Sequence, residues 1–573
     1  MDGVAESHPG GVQGVTPVRP TQACNPENCE VRAHIGVFFD GTGNNRYRDE
    51  PGRSDSNVAR LFRSYPDQPG AGYYRMYIPG VGTRFPEIGE DALESKSGLG
   101  FGDGGEGRIL FGLLHVLNSM HEAADHRGDV MFQPEVVKLL CSLDYTEDVE
   151  LLRPFGLRGG LVSGWPSGLG NRSVFLKTQG KKLADKIAGS NKPRLVEVMI
   201  DVFGFSRGAA EARTFCNWLD ELFSGSTLFG VKAQVRFLGI FDTVASVGMP
   251  ASATGFTDGH LSWADAPMLR IPSRVQNCEH YISAHENRPS FPLDMVRLED
   301  GSLQQNCRQY IYPGMHSDLG GGYAPGEQGR EPGDDHKLSQ IPLNDMYDAA
   351  VAAKVPLDKT LSIAVDGYDP FVVAPKLREA YDAWKAAAGG AKSTREWLLP
   401  YLAWRYEVRH RFNELPATQR ADAKDRGDLV GANATLLADI ESIENPPTWG
   451  ARAAEIVTGP VGRWVIGRNY DDLAPEAPEI LSRIKTLAVP EAMAYLFSNY
   501  CHDSFAGFRP MDFGVPVLDG GGWESEGYLR WRVHYRGTDK RFTLRQQRDD
   551  SQAADGVMLA SVGSKGPAVV PMG

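Results

Sequence analysis

Short apolar runs recur along the first 345 residues and end at turns that contain glycine or aspartate. The clearest are HIGVFF (34–39), LVEVMIDVFGF (195–205), VRFLGIFDTV (235–244) and QYIY (309–312). Most are apolar on both faces, which is typical of strands buried inside a parallel sheet. Helical patterns over 109–120, over 172–190 and after residue 206 separate the runs. This alternation predicts an α/β fold built on a mostly parallel sheet.

The amino-acid composition and the pattern of apolar residues change along the chain and predict five segments. Residues 1–30 are rich in glycine and proline and predict a flexible arm, whereas residues 31–345 carry the α/β core. Long helical patterns over 346–500 predict a large helical insertion or cap. Residues 501–550 are expected to return to the core with C-terminal strands, and 551–573 to form a flexible tail.

One of those C-terminal strands is predicted from YLRWRVHYRG (528–537), where apolar and polar residues alternate. Such alternation with period two is typical of a strand that has one face in solvent. We therefore expect residues 528–537 to form an exposed strand.

Charge, cysteine content and the N-terminus exclude several classes of function. The formal net charge of −13 argues against nucleic acid as a main partner, because phosphate binding requires a basic surface. The seven cysteines are odd in number and scattered, so no disulfide framework is predicted, and Cys24 and Cys29 are not expected to pair. We find neither a secretory signal pattern nor an apolar run long enough to span a bilayer.

Ser206 lies at the centre of Gly204-Phe205-Ser206-Arg207-Gly208, which fits the pattern G-x-S-x-G. The pattern alone is weak evidence, because a chain with 65 glycines contains it easily by chance. Its context is stronger, since a strand pattern precedes it and a helical pattern follows, as in the nucleophile elbow of α/β-hydrolases. The helix N-terminus would also direct its dipole at an oxyanion formed there. We therefore predict an α/β-hydrolase-like fold with Ser206 as nucleophile.

A serine nucleophile requires a base and a carboxylate that orients this base. In this fold the three groups follow in the order serine, acid, histidine. Asp242 leaves the next strand pattern at its C-terminal end, where a side chain can face the serine. A strand-end aspartate that caps a turn would look the same, and Asp258, Asp265 and Asp294 are alternative acids.

His316 is the predicted base, because it follows a strand pattern and comes after the serine and the acid. His280, His285 and His502 are its alternatives among the 13 histidines. Asp318, two residues on, is expected to shape the turn, and a metal ion near it is a further possibility. No cofactor or metal is required by the predicted chemistry.

An oxyanion hole requires two N–H donors beside the nucleophile. The first is expected to be the amide of Arg207, the residue after the serine. The second is expected from the glycine turn after the first strand, at Gly41 and Thr42. A plain tight turn is the alternative interpretation of these residues.

Five blocks together resemble a known family. They are FFDGTGNN (38–45), FGFSRGAAEAR (203–213), GIFDTVASVG (239–248), HSDLGGGY (316–323) and HDSFAGF (502–508). They resemble the α/β-hydrolase phospholipases that bacterial type VI secretion delivers, over about residues 34 to 510. The resemblance places that family's catalytic triad on Ser206, Asp242 and His316, the residues predicted above.

The resemblance implies a phospholipase A-type serine hydrolase that acts on membrane glycerophospholipids as an antibacterial effector, without a cofactor. It also implies contact with spike or tube components of the secretion apparatus, and an immunity protein in the producing cell. Such a protein would be made in the cytoplasm without a cleaved signal and delivered to the periplasm or membrane of a target cell. One departure is His285, in YISAHENRP (281–289), which replaces an aspartate of the family pattern and leaves the role of this position open.

Two other functions fit the same residues. A soluble carboxylesterase or glycan deacetylase would use the same triad on a different substrate. A non-catalytic scaffold carried by secretion machinery would have lost its activity, although the intact Ser206, Asp242 and His316 argue against this.

Residues 376–412 are a candidate membrane-interface segment. They mix tryptophans with arginines, and from 376 to 411 they contain eight Lys/Arg against four Asp/Glu. If Trp397 and Trp404 contact lipid, alanine at both positions should weaken liposome binding and spare hydrolysis of a soluble ester. The alternative is an ordinary helix, opened by a capping box at Ser393 and Glu396, that packs its aromatic residues on the core.

Overall fold

The computed structural model describes residues 24–25, 30–94, 104–125, 130–142, 149–157, 160–162, 169–189, 194–245, 262–298, 300–389, 393–446, 473–508, 527–536 and 558–559. The alternative acid Asp258, the cysteine Cys29, and most of the predicted arm and tail lie outside the described residues. Predictions that concern them remain predictions.

Six parallel strands form the centre of a mixed α/β fold. They are β1 (Glu30–Phe39), β2 (Tyr73–Ile78), β3 (Arg194–Phe205), β4 (Val231–Phe241), β5 (Cys278–Ser283) and β6 (Cys307–Tyr312). Their spatial order is β2-β1-β3-β4-β5-β6, and each neighbouring pair is parallel. The order of strands therefore reverses between β1 and β3. Open α/β sheets bind their ligands at such a switch point, beyond the carboxyl ends of the strands.

Helices cover this sheet, and the longer ones confirm the helical patterns of the sequence. Those of eight residues or more in the described part are α1 (Asn57–Ser64), α2 (Gly105–Asp125), α3 (Pro134–Cys141), α4 (Leu169–Gly189), α5 (Arg207–Asp220), α6 (Gln340–Ala352), α7 (Lys359–Asp366), α8 (Pro375–Ala388), α9 (Thr394–Val408), α10 (Ala423–Glu444), α11 (Ala477–Ile484) and α12 (Glu491–Asn499). The predicted capping box opens α9, where the side chains and amides of Ser393 and Glu396 bond reciprocally. None of the described helices is both long and apolar enough to cross a membrane.

Each face of the sheet has its own hydrophobic core, because successive residues of a strand point to opposite faces. Phe38 and Phe203 stack at 4.9 Å on one face and belong to a cluster that includes the helical region. Val37 and Val202 point to the other face, which α2, α3, α4 and α5 cover. Both faces are therefore buried, as a parallel sheet requires.

The helical region shares the first of these cores, which corrects the expectation of lipid-facing tryptophans. Trp397 and Trp404 are each only 2% exposed. Trp404 packs against Tyr401 and Phe497 at 5.7 and 5.8 Å between ring centroids, and Trp397 packs against Trp384 at 5.6 Å. The alternative interpretation, an ordinary helix packed on the core, is therefore correct for these two residues.

Alanine at Trp404 is expected to destabilise the fold by about 3–5 kcal/mol, because it removes a large buried ring from a packed cluster. Thermal unfolding of Trp404→Ala beside wild type would measure the loss. Tyr495→Ala is the matched control, since Tyr495 lies on the neighbouring α12 and is 50% exposed. A Trp404→Ala protein with unchanged thermal stability and weaker liposome binding would instead support the membrane-interface hypothesis.

Short strands lie near both ends of the chain, within the few described residues of the predicted arm and tail. Cys24–Asn25, within the predicted arm, pairs antiparallel with β1, and Met558–Leu559, within the predicted tail, pairs parallel with β6.

The described part of 528–537 is not an exposed strand. Only His534–Tyr535 forms a strand there, parallel to Leu293–Asp294, and most of the preceding side chains are buried. The remaining short pairs are Thr83–Phe85 with Glu90–Glu94 and Phe223–Ser224 with Thr227–Leu228.

Candidate active site

Ser206 occupies a tight turn between β3 and α5. Its backbone angles, φ 58° and ψ −125°, are strained for a residue with a side chain. Its N–H donates to the carbonyl of Phe241 on β4 at 3.0 Å, and its carbonyl accepts from Ala209 and Val244. Ser206 is therefore held, at 4% exposure, at the carboxyl edge of the sheet beside the switch point. Such backbone strain is typical of functional sites.

The two glycines of the motif are required by close backbone contacts. A Cβ on Gly204 would lie 2.5 Å from the carbonyl oxygen of Gly208. A Cβ on Gly208 would lie 2.3 Å from the carbonyl oxygen of Asp40, just beyond β1. The turn that carries Ser206 thus packs directly on the end of β1, as the pattern of glycines predicts.

Asp242 and His316 form a hydrogen-bonded pair at the same edge. Asp242 follows β4, and His316 is the first residue of a short helix (His316–Gly320) after β6. Oδ2 of Asp242 and Nδ1 of His316 are 2.6 Å apart, and both residues are buried. The ring of His316 packs against Phe205, the residue before the serine, at 4.7 Å between centroids. The structure therefore brings the imidazole to the end of β3 with a carboxylate behind it.

Two further groups hold the carboxylate of Asp242, and neither was identified from the sequence. Ser283 at the end of β5 donates its N–H at 2.9 Å and its Oγ–H at 3.0 Å. Arg532, from the C-terminal segment, donates through both terminal nitrogens of its guanidinium, at 2.9 and 2.8 Å. Asp242 is thus fixed by four donors besides His316.

These contacts set the pKa values of the pair. Burial alone would raise the pKa of Asp242, but the charge of Arg532 and the hydrogen bond and charge of His316 bring it well below its usual range. Burial lowers the pKa of His316 below its ordinary value, although Asp242 and Glu286 oppose this effect. Asp242 is therefore an anion and His316 is neutral at neutral pH, as a general base must be before it reacts.

The alternative acids have structural roles in the described residues. Asp294 accepts the N–H of Ala245 at 3.1 Å and so holds the chain after Asp242. Asp265 caps a short turn by accepting the N–H of Met268.

The alternative bases are also used elsewhere. His280 bonds to Gln309 and Thr243. His285 accepts the N–H of Gly314 at 2.9 Å through Nδ1 and packs among the aromatic rings of the helical region. The position that departs from the family pattern therefore supports the loop that leads to His316.

The turn of Gly41 and Thr42, from which an oxyanion donor is predicted, lies against the elbow. A Cβ on Gly41 would lie 2.5 Å from the ring of Phe205, so this turn and the end of β3 are in contact. The N–H of Gly41, however, donates to the carboxylate of Asp40 at 2.7 Å. Burial raises the pKa of Asp40 to about 6, although hydrogen bonds from Ser56, Tyr77 and Gly41 oppose the shift. Thr42 is the remaining predicted donor of this turn, and its buried Oγ1 has no hydrogen-bond partner.

One cluster in the described part of the chain offers ligand atoms for a metal ion: Asp318, Glu331 and His502, whose nearest such atoms lie within 4.8 Å of one another. Both oxygens of Asp318 already accept hydrogen bonds, from His502 Nδ1 at 2.6 Å and from the N–H groups of Met315 and His502. His502 Nε2 faces Glu331 at 3.9 Å. Burial would lower the pKa of His502, but the two carboxylates raise it overall. Burial also raises the pKa of Glu331 to about 7, and the buried Nε2 of His502 has no hydrogen-bond partner.

The position of Asp318 explains what its hydrogen bond with His502 does. Its side chain caps the short helix by accepting the N–H of Met315, one residue before His316. Asp318 is therefore the turn-shaping residue that the sequence predicted, and His502 supports it.

A solved structure with a similar fold supports this architecture. A crystal structure described as an uncharacterized protein from Pseudomonas aeruginosa matches with a TM-score of 0.66 at 27% identity, over 89% of this chain and 80% of that one. The Tle1 effector bound to the VgrG spike of a type VI secretion system matches with a TM-score of only 0.33 at 16% identity, over 69% and 85% of the two chains. No curated protein matches the chain.

The family comparison is more informative. The model of the catalytic domain of Tle1-like phospholipase effectors of type VI secretion matches residues 34–222 and 221–349. These ranges include most of β1, all of β2 to β6, the elbow and the Asp242–His316 pair, and they make up more than half of the chain. The chain therefore belongs to the family of Tle1-like phospholipase effectors of type VI secretion.

Proposed function

We propose that the protein is a serine phospholipase of the A type, with an α/β-hydrolase-like fold, that hydrolyses acyl esters of membrane glycerophospholipids. The observation that carries the proposal is the buried Asp242–His316 hydrogen bond beside the strained turn of Ser206. A serine hydroxyl, a neutral imidazole and an oriented carboxylate are the parts that acyl transfer by serine requires.

The proposed reaction has two steps. Ser206 Oγ attacks the acyl carbonyl while His316 Nε2 takes the hydroxyl proton, and His316 then gives this proton to the departing lysophospholipid oxygen. Water, activated by the same imidazole, next attacks the acyl-enzyme and releases the fatty acid. Asp242 holds Nδ1 of His316 and stabilises the imidazolium that forms in each step.

The proposed oxyanion donors are the amides of Arg207 and Thr42. Arg207 is the first residue of α5, where the positive end of the helix dipole favours a developing oxyanion. Thr42 replaces Gly41 in this role, because the Gly41 amide is already bonded to Asp40.

Two partly buried aromatic rings favour an apolar acyl chain at this site. Phe291 packs against His316 at 5.1 Å between ring centroids, and Phe508 packs against Phe291 at 5.8 Å. Rings next to the imidazole provide an apolar wall for the fatty acyl part of the substrate.

The rest of the proposal follows from family membership. We expect delivery by the type VI apparatus through contact with spike or tube components, action in the envelope of a target cell, and an immunity protein in the producer.

Liposomes of mixed-chain phosphatidylethanolamine and phosphatidylglycerol test the proposed function directly. Wild-type protein is expected to release fatty acid, and the mass of the released chain identifies the ester that is cleaved. If a folded protein reacts with a fluorophosphonate but releases no fatty acid, the substrate is wrong, and a soluble ester or an acetylated glycan should be tried. If it neither releases fatty acid nor reacts with the fluorophosphonate, the site is not that of a serine hydrolase.

A further inference from the structure

Arg532 is the least expected part of the site, because it comes from far along the chain. It lies beyond residue 349, where the match to the catalytic-domain model ends. Its guanidinium nevertheless forms a two-bond fork with Asp242, and Nη1 also donates to Ser283 Oγ at 3.0 Å. Nε donates to the carbonyl of Phe291 at 2.7 Å, and the ring of Phe291 packs on His316. The hydrogen bonds of this guanidinium therefore go to Asp242, to Ser283 beside it, and to Phe291, whose ring contacts His316.

The segment that carries Arg532 is anchored on both sides. On the core side, the N–H groups of Leu293 and Met295 donate to the carbonyls of Val533 and Tyr535. These bonds fix the backbone immediately after Arg532.

On the helical side, Tyr528 Oη donates to Asp503 and accepts from Arg405, and the N–H of Leu529 donates to Asp439 of α10. The N–H of Trp531 donates to Glu476. Residues 527–536 thus tie the helical region to the carboxylate of the proposed triad.

From these contacts we propose that Arg532 is a positioning residue of the active site, through which the C-terminal segment fixes and electrostatically tunes the Asp242–His316 pair. The inference rests on the proposed function, since it assigns a role within the same site. It extends the catalytic unit beyond the part of the chain that the family model covers.

The first role of Arg532 is orientation. A planar guanidinium that bonds both oxygens of a carboxylate fixes the plane of that carboxylate, which a single N–H donor cannot do. The plane of Asp242 in turn fixes the direction of Nδ1 of His316. Lysine, which is a point charge without the fork, cannot supply this orientation.

The second role is electrostatic, because the charge of Arg532 opposes the effect of Asp242 on the protonation of His316. A positive charge next to Asp242 partly cancels the negative charge that favours the imidazolium. The other charged groups around His316 are Glu286, which accepts its backbone N–H at 3.4 Å, Arg288, which is bonded to Glu286, and Asp318 on its own helix. Arg532 therefore keeps His316 neutral, and able to act as a base, at a lower pH than the carboxylates alone would allow.

The experiment measures the rate of fluorophosphonate reaction with Ser206 and the rate of ester hydrolysis from pH 4 to pH 9, on the full chain. Arg532→Gln removes the charge, so the acid limb of both profiles should move to higher pH. The maximal rate should fall by about 10- to 100-fold, the loss found when the group that orients a metal-bound histidine is removed. Arg532→Lys keeps the charge but loses the fork, so its acid limb should stay in place while its maximal rate falls.

Arg236→Gln is the matched control. Arg236 on β4 forms a buried fork with Asp201 on β3, in the same sheet but away from its carboxyl edge. This variant should lose stability and keep the wild-type pH profile.

The outcomes separate this inference from the proposed function. If wild type reacts and a folded Arg532→Gln protein has the wild-type rate and pH profile, Arg532 is only a structural residue and the inference is wrong. If Arg532→Gln does not fold, Arg532→Lys decides in its place, and a full maximal rate in that variant overturns the inference. If wild type itself does not react with the fluorophosphonate, the proposed function fails first.

Discussion

Alanine at Ser206 is expected to reduce phospholipid hydrolysis by about 10⁶-fold, the size of effect seen when the nucleophile of a serine hydrolase is removed. The Ser206 hydroxyl is the atom that forms the acyl-enzyme, so no neighbouring group can replace it. Fatty acid release from liposomes and labelling by a fluorophosphonate should disappear together.

The fold should survive this change. Ser206 has a positive φ of 58°, and alanine meets the same backbone strain as serine, so thermal stability should stay near the wild-type value. Ser224→Ala, at an exposed serine after α5, is the control and should retain full activity. Substantial hydrolysis by a folded Ser206→Ala protein would show that a different residue is the nucleophile.

The sequence predicted the elements that hold this site because local patterns determine them. Strands buried on both faces and the glycines around Ser206 leave local signals. The order of serine, acid and histidine along the chain then indicates which strand ends carry the partners of the serine. The structure shows a mostly parallel sheet and a hydrogen bond between Asp242 and His316. The nucleophilic role of Ser206 remains a prediction until it is tested by substitution.

What the sequence could not predict depends on contacts between distant segments. Arg532 reaches Asp242 across 290 positions, and nothing in the alternation of residues 528–537 indicates that partner. The alternation predicts one face in solvent, whereas Arg532 is buried in an ion pair with Asp242, and Tyr528 and Trp531 are buried as well. A buried arginine whose partner lies elsewhere has the same local pattern as an exposed one.

The tryptophans of α9 show the same limit. Aromatic residues mixed with arginines fit both a membrane interface and a core that buries cations, and composition does not distinguish the two. Arg405, between Trp404 and Tyr406, is fully buried and bonds to Tyr528 of the C-terminal segment. The positive charge of the segment therefore does not show that it faces lipid.

Asparagine at Asp242 is expected to reduce hydrolysis by about 10⁴-fold, because an amide cannot stabilise the imidazolium and favours the wrong tautomer of the histidine. The same change should also destabilise the fold. Arg532 would keep its charge in a buried site and would face an amide that offers only one accepting oxygen. Removing one partner of a buried ion pair typically costs about 3–5 kcal/mol.

The two effects can be separated by a second substitution. In Asp242→Asn/Arg532→Leu the unpaired charge is gone, so thermal stability should recover in part, while the rate of hydrolysis should stay as low as in the single variant. Asp201→Asn is the control, because it breaks the buried pair with Arg236 in the same sheet and should lower stability without lowering the rate of the folded protein. Wild-type hydrolysis by folded Asp242→Asn would exclude Asp242 as the triad acid. Recovery of the rate together with stability in the double variant would instead mean that Asp242 serves the fold and that His316 finds its orientation elsewhere.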